Sequence, residues 1–85
     1  MNYVDHCKFG KRRMCHMMTD GDIEELHAMA LSIGLRRAWF QDHSLHPHYD
    51  LTASKRAAAI RAGAVTVSSR ELIIKCSGYI KGLAT

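Results

Sequence analysis

The chain reads as a small α/β domain, a sheet of short strands packed by about three helices. Three observations point there. Short apolar runs with alternating faces interleave with stretches of helical periodicity, glycines stand where the periodic stretches end, and hydroxyl-bearing or acidic residues stand where they begin. With 85 residues, 47% of them hydrophobic and 24% charged, one domain spanning 1–85 is expected, near the lower limit of what folds alone. A core of that size is commonly completed by a metal, disulfides or oligomerisation, and a homo-oligomer is expected.

Taken in order, Asn2-Tyr3-Val4-Asp5 suits a short strand ending in an acid, and residues 6–13 are basic and contain Gly10, as a surface loop would. Met14-Cys15-His16-Met17-Met18 is too short for a helix and suits a buried second strand, with Met14, His16 and Met18 on one face and Cys15 and Met17 on the other. Thr19 or Asp20 is the expected cap of a first helix, whose early acids Asp22, Glu24 and Glu25 complement the dipole. Ile23, Leu26, Ala30 and Ile33 make its buried stripe, His27 falls within that stripe, and Gly34 ends the helix as a left-handed cap. Residues 36–41 are basic and aromatic and are expected to form a short strand, followed by a polar, histidine-rich connection over 42–46. Residues 52–62 are expected to form an alanine-rich second helix, capped by Thr52 and stopped at Gly63. Residues 64–67 suit a β-branched strand. Ser68 to Glu71 has the form of a capping box opening a third helix through Leu72, Ile73 and Cys76, with Gly78 as its breaker.

Twelve Lys and Arg against eight Asp and Glu give a net charge of +4, and six histidines add to it below neutrality. That balance favours an anionic partner: a nucleotide, a nucleic acid or an acidic protein. No apolar run approaches membrane-spanning length, and no signal peptide is expected because the first residues are polar. Cys7, Cys15 and Cys76 are odd in number and far apart, so they read as reduced thiols in a cytoplasmic protein.

The densest chemistry lies between Pro47 and Arg56. Proline stiffens the start of this stretch, which is expected to run from a loop into the first turn of the second helix. There, free backbone amides with Thr52, Ser54, Lys55 and Arg56 would suit a phosphate, with Arg36 and Arg37 approaching from the neighbouring segment. The competing reading is a solvated basic face. A second set comprises Asp5, Asp20, Asp50, His16, His27 and His48. His48 and Asp50 flank Tyr49 and, in an extended segment, share a side, which suits acid–base work. Tyr49 could stack on a base or fill the core, and His16 and His27 could equally be satisfied core histidines.

Two groups offer zinc-type donors: His43-x-x-His46-x-His48, and Cys7 with Cys15-His16. Neither has a familiar spacing, and they gain weight only if the two sets converge in space. Lys8, Lys11, Arg12 and Arg13 around Phe9, and Trp39 and Phe40 beside Arg36 and Arg37, are a weak nucleic-acid signal without a recognition signature. Nucleophilic catalysis has little support: no glycine-flanked serine is present, and Cys15 and His16 point to opposite faces.

Tyr3-Val4-Asp5, His16-Met17, Asp20, Glu25-Leu26-His27-Ala28, Ala30, Gly34, His48-Tyr49-Asp50, Arg56, Gly63-Ala64 and Ser69-Arg70-Glu71-Leu72 resemble a family of small bacterial and phage domains of unknown function. The resemblance brings no activity. It does imply that Asp5, His16, Asp20, His27, His48 and Asp50 belong to the shared pattern, whereas His43, His46, Cys7 and Cys15 do not. Neither a metal nor any other cofactor is therefore assigned.

The leading expectation is a non-catalytic binding module for a small phosphate-bearing, nucleotide-derived ligand. His48, Tyr49, Asp50, Ser54, Lys55 and Arg56 would hold it, with Asp5, His16 and His27 lining the site. In a phage setting, acting in the host cytoplasm, such a protein would sequester a nucleotide immune signal as an anti-defence device. The first alternative is a small metal-assisted phosphoester hydrolase or nuclease using the His/Asp set. The second is a nucleic-acid or host-protein binder.

Overall fold

Alternation of side chains along four short strands makes a sheet with two unlike faces. A computed structural model describes residues 1–6, 14–42 and 46–76. Its elements are β1 (Asn2–Val4), β2 (Cys15–Thr19), α1 (Ile23–Ser32), a 3-10 turn (Arg37–Trp39), β3 (Tyr49–Leu51), α2 (Ala53–Arg61), β4 (Val65–Thr66) and α3 (Ser69–Cys76). The strands lie in the order β3-β2-β1-β4, antiparallel between β1 and β2 and between β2 and β3, parallel between β1 and β4. This mixed sheet with three helices is the α/β class that the sequence predicts.

The first face carries Val4, Cys15, Met17, Tyr49 and Leu51, all fully buried, against Leu26, Ala30 and Ile33 of the α1 region and Ala59 of α2. The second face carries Tyr3 and Met18, which pack with Val67 and with Leu72 and Cys76 of α3. Two helices thus cover one face, and among the described residues α3 is the helix that packs on the other.

Local chemistry explains where the elements begin. Asp22 caps α1 by accepting from the Glu24 N–H at 3.0 Å, in place of the expected Thr19 or Asp20. Those two are engaged elsewhere: the Thr19 hydroxyl donates to the Met1 carbonyl and accepts from the Gly21 N–H, and Asp20 takes the N-terminal ammonium and the Tyr3 hydroxyl. Thr52 caps α2 and Ser68 accepts from the Glu71 N–H, as expected from both residue types.

Three expectations are corrected. Residues 36–41 do not form a strand: the chain turns over Arg37–Trp39, leaving Trp39 half exposed, and rejoins the sheet through a Gln41–His48 bridge. The Phe40 ring drives that bend by packing against His27 and Tyr49. Tyr49–Leu51 is a strand and not a loop leading into α2, because pairing with β2 buries both Tyr49 and Leu51 completely. Cys15 is engaged in a disulfide within the core, whereas all three cysteines had been expected as thiols. Among the described residues no helix is long and apolar enough to cross a membrane.

Gly34 leaves α1 with φ +86°, and an added Cβ would stand 2.8 Å from the Lys55 ammonium. Left-handed geometry costs a residue with a Cβ about 1–2 kcal/mol. Gly34→Ala is therefore expected to lower the unfolding free energy by about that much, read as a lower urea midpoint with an unchanged denaturant slope.

Candidate functional site

On the second face, Asp5, His16 and Asp50 form a row across three strands. His16 pairs with Asp50 between β2 and β3. Continuing the β1–β2 register beyond Val4 sets Asp5 opposite His16, where the Asp5 N–H donates to the His16 carbonyl at 3.1 Å. Period-2 geometry sends all three side chains to the same side. His48 precedes Asp50 by two residues and joins them.

Asp5 is the buried end of the row, 1% exposed. Its carboxylate accepts the His16 N–H at 2.7 Å, the His16 Nδ1–H at 2.8 Å and the Ser69 hydroxyl at 3.1 Å. Burial pushes this acid up, but the bonds from the His16 ring and backbone, the imidazole charge and the Ser69 hydroxyl outweigh it and hold the carboxyl below its ordinary value. The Asp5 carbonyl in turn accepts from Nε of Arg56 at 2.7 Å, which ties the end of β1 to α2.

The other end of the row is open. His16 and Asp50 are each more than a third exposed at the side chain. His48 Nδ1 donates to the His46 carbonyl at 2.6 Å, which turns its Nε2 towards Asp50, 3.4 Å from Oδ1. His16 Nε2 lies 3.8 Å from the same oxygen, and the two imidazoles meet edge to face at 5.4 Å. Ligand atoms of His16, His48 and Asp50 all fall within 4.8 Å of one another, a donor set of the kind that holds a metal ion. Beside them lies a cavity of about 330 Å³, floored by Asp5, His16 and Ser69, bordered by His46 and His48, and walled by Met18, Leu72 and Ile73.

The remaining sequence candidates are placed elsewhere. His27 is buried on the opposite face, sharing a 2.7 Å hydrogen bond with the Tyr49 hydroxyl and packing edge-on against Phe40. Burial raises the pKa of the Tyr49 phenol, as it does for any ionisable group whose charged form loses water. Ser54 bonds Thr52, while Lys55 donates from Nζ to the Ile33 carbonyl at 2.7 Å, closing the C-terminus of α1. Arg37 pairs with Glu24, and Arg36 lies over Trp39. The Pro47–Arg56 stretch is thus split three ways, between the cleft, the core and structural caps. Lys8, Phe9, Lys11, Arg12, Arg13, Cys7, His43 and Gly78 lie outside the described residues.

Sequence reasoning missed Ser69 and set His46 aside. Ser69 adjoins a cap and carries no distinguishing signal, since only the docking of α3 brings it to Asp5. His46 enters through its carbonyl, an atom every residue has.

Replacing Asp5→Asn leaves a buried cluster with a donor where an acceptor is needed, at a cost of about 1–3 kcal/mol. Because the folded acid has a lowered pKa, its contribution is full above the ordinary aspartate value and is lost as pH falls through the folded one. The stability gap between wild type and D5N should therefore be full at neutrality and close below about pH 4, read from urea titrations across pH.

Neither a curated protein nor a solved structure matches the chain. A family model does match, over residues 3–77, and is described as a protein of unknown function (DUF4031). The match runs from Tyr3 in β1 through α3 and includes the residues of the cleft, and the chain belongs to that family.

Proposed function

We propose that this domain is a small hydrolase that acts on a phosphoester in the cleft between β3 and α3. The observation that supports it is the convergence of His16, His48 and Asp50 on one point beside a cavity, with the two imidazoles oriented from behind by Asp5 and by the His46 carbonyl. A water molecule held by that cluster is activated by loss of a proton and faces a recess large enough for the group under attack. Its oxygen forms the new bond to phosphorus, the ester P–O bond breaks, and the departing alkoxide takes up a proton. The net charge of +4 favours an anionic substrate at long range.

A non-catalytic phosphate cradle at the head of α2 has less support. The Thr52 hydroxyl there already accepts from the Lys55 N–H, the Lys55 ammonium is bound to Ile33, and Arg56 is bound to Asp5. The sequestration of a nucleotide signal rests on that cradle and loses support with it.

Purified protein should cleave members of a panel of phosphomonoesters, phosphodiesters and cyclic nucleotides, followed by product release. His16→Asn and His48→Gln should each lower turnover by about 100-fold or more, the scale of an acid–base or water-activating group. Lys55→Met should leave it unchanged. Binding of intact ligand without turnover, abolished by Lys55→Met and preserved in His48→Gln, would overturn the proposal in favour of the cradle.

A further inference from the structure

The two imidazoles have fixed tautomers. His16 Nδ1 faces a carboxylate and His48 Nδ1 faces a backbone carbonyl, and both of those groups only accept. Each Nδ1 must therefore carry the proton, and in a neutral ring each Nε2 then carries a lone pair. Both lone pairs are directed at the neighbourhood of Asp50 Oδ1, itself an acceptor, at 3.8 and 3.4 Å. These separations are longer than charge-assisted N–H···O bonds, which run about 2.7–2.9 Å. They are close to what a bound ion demands: donors held tetrahedrally at zinc–nitrogen and zinc–oxygen lengths sit about 3.4 Å apart.

We infer that His16, His48 and Asp50 bind one divalent transition cation of the zinc class. The donor set fits on chemistry as well as distance. Two imidazoles and one carboxylate are borderline donors that suit zinc, cobalt or iron(II), whereas magnesium and calcium require all-oxygen shells. Asp5 behind His16 reproduces the carboxylate–histidine–metal arrangement, which orients the ring and raises its basicity, and the His46 carbonyl does the same for His48. Three protein donors beside the cavity would leave a four-coordinate ion one place for a water, whose pKa such an ion would bring towards about 7. The site takes His48 from just before β3 and His16 from β2, one member of each of the two zinc-like sequence groups.

The inference deepens the hydrolase reading by naming the activator of the water, but its test does not require turnover. Chelated, desalted protein titrated with Zn²⁺ in a calorimeter should bind one ion per chain with a micromolar or tighter Kd. Substitution by Co²⁺ should give the intense visible absorption of a low-coordinate site, and Mg²⁺ should not compete. His48→Gln and Asp50→Asn should each weaken Zn²⁺ binding by about 100-fold or more, and Asp5→Asn, through orientation of His16, by about 10–100-fold. His6→Gln, an exposed histidine outside the cluster, should not weaken it, and circular dichroism checks that each variant is folded. Absence of a stoichiometric site, or equal affinity in wild type, H48Q and D50N, overturns the inference. Zinc bound without turnover of any ester keeps it and removes the hydrolase. Turnover that survives chelation keeps the hydrolase and removes the metal.

Discussion

The second face of the sheet depends on one buried carboxylate. A charge withdrawn from water is tolerable only where its lone pairs are filled, and Asp5 fills them from His16 and Ser69. These bonds constrain two elements. The two from His16 hold β2 in register with β1, and the one from Ser69 brings the first turn of α3 down onto the sheet. The main-chain atoms of the same residue bond the His16 carbonyl and the Arg56 side chain. Four elements are therefore referred to one residue, and the imidazole that matters most for chemistry is oriented by its carboxylate.

The cleft arises from a mismatch between layers. Two helices cover the first face across its width, whereas α3 packs over Tyr3, Met18 and Val67, leaving the β2–β3 part of the second face open. Polar side chains can persist on that uncovered part: His16 and Asp50 sit on strands, and Asp5 and His48 directly flank β1 and β3. Their separations are set by strand spacing and pleat, so little conformational entropy remains to be lost when a ligand or ion is bound.

Much of this was legible in the residues. Alternation through residues 14–18 gave the two faces of β2, and the glycine and hydroxyl signals located α2 and the start of α3, whereas the cap of α1 is Asp22 and lies beyond the expected Thr19 or Asp20. Asp5, His16, His48 and Asp50 were all named from residue type and the one-residue gap around Tyr49. What was not legible was non-local. His27 and His16 have similar chemistry in the sequence, and only the sheet separates them onto opposite faces, one into a Tyr49–Phe40 cluster and the other into the cleft. Lys55 and Arg56 read as anion ligands because charge is visible and partners are not. Their partners are the carbonyls of Ile33 and Asp5, 22 and 51 residues away. The turn at Arg37–Trp39 was mistaken for a strand because aromatic residues favour both a strand and the packing that bends this segment.

Strand β3 places Tyr49 between His48 and Asp50, facing away from both. A slip of one residue against β2 would carry the tyrosine out of its buried cluster and drive the imidazole and carboxylate into the apolar side. Core and cleft therefore proofread each other: a one-residue slip cannot keep one while losing the other. A chain this short gains from that arrangement a single well-defined alignment without a longer strand to specify it.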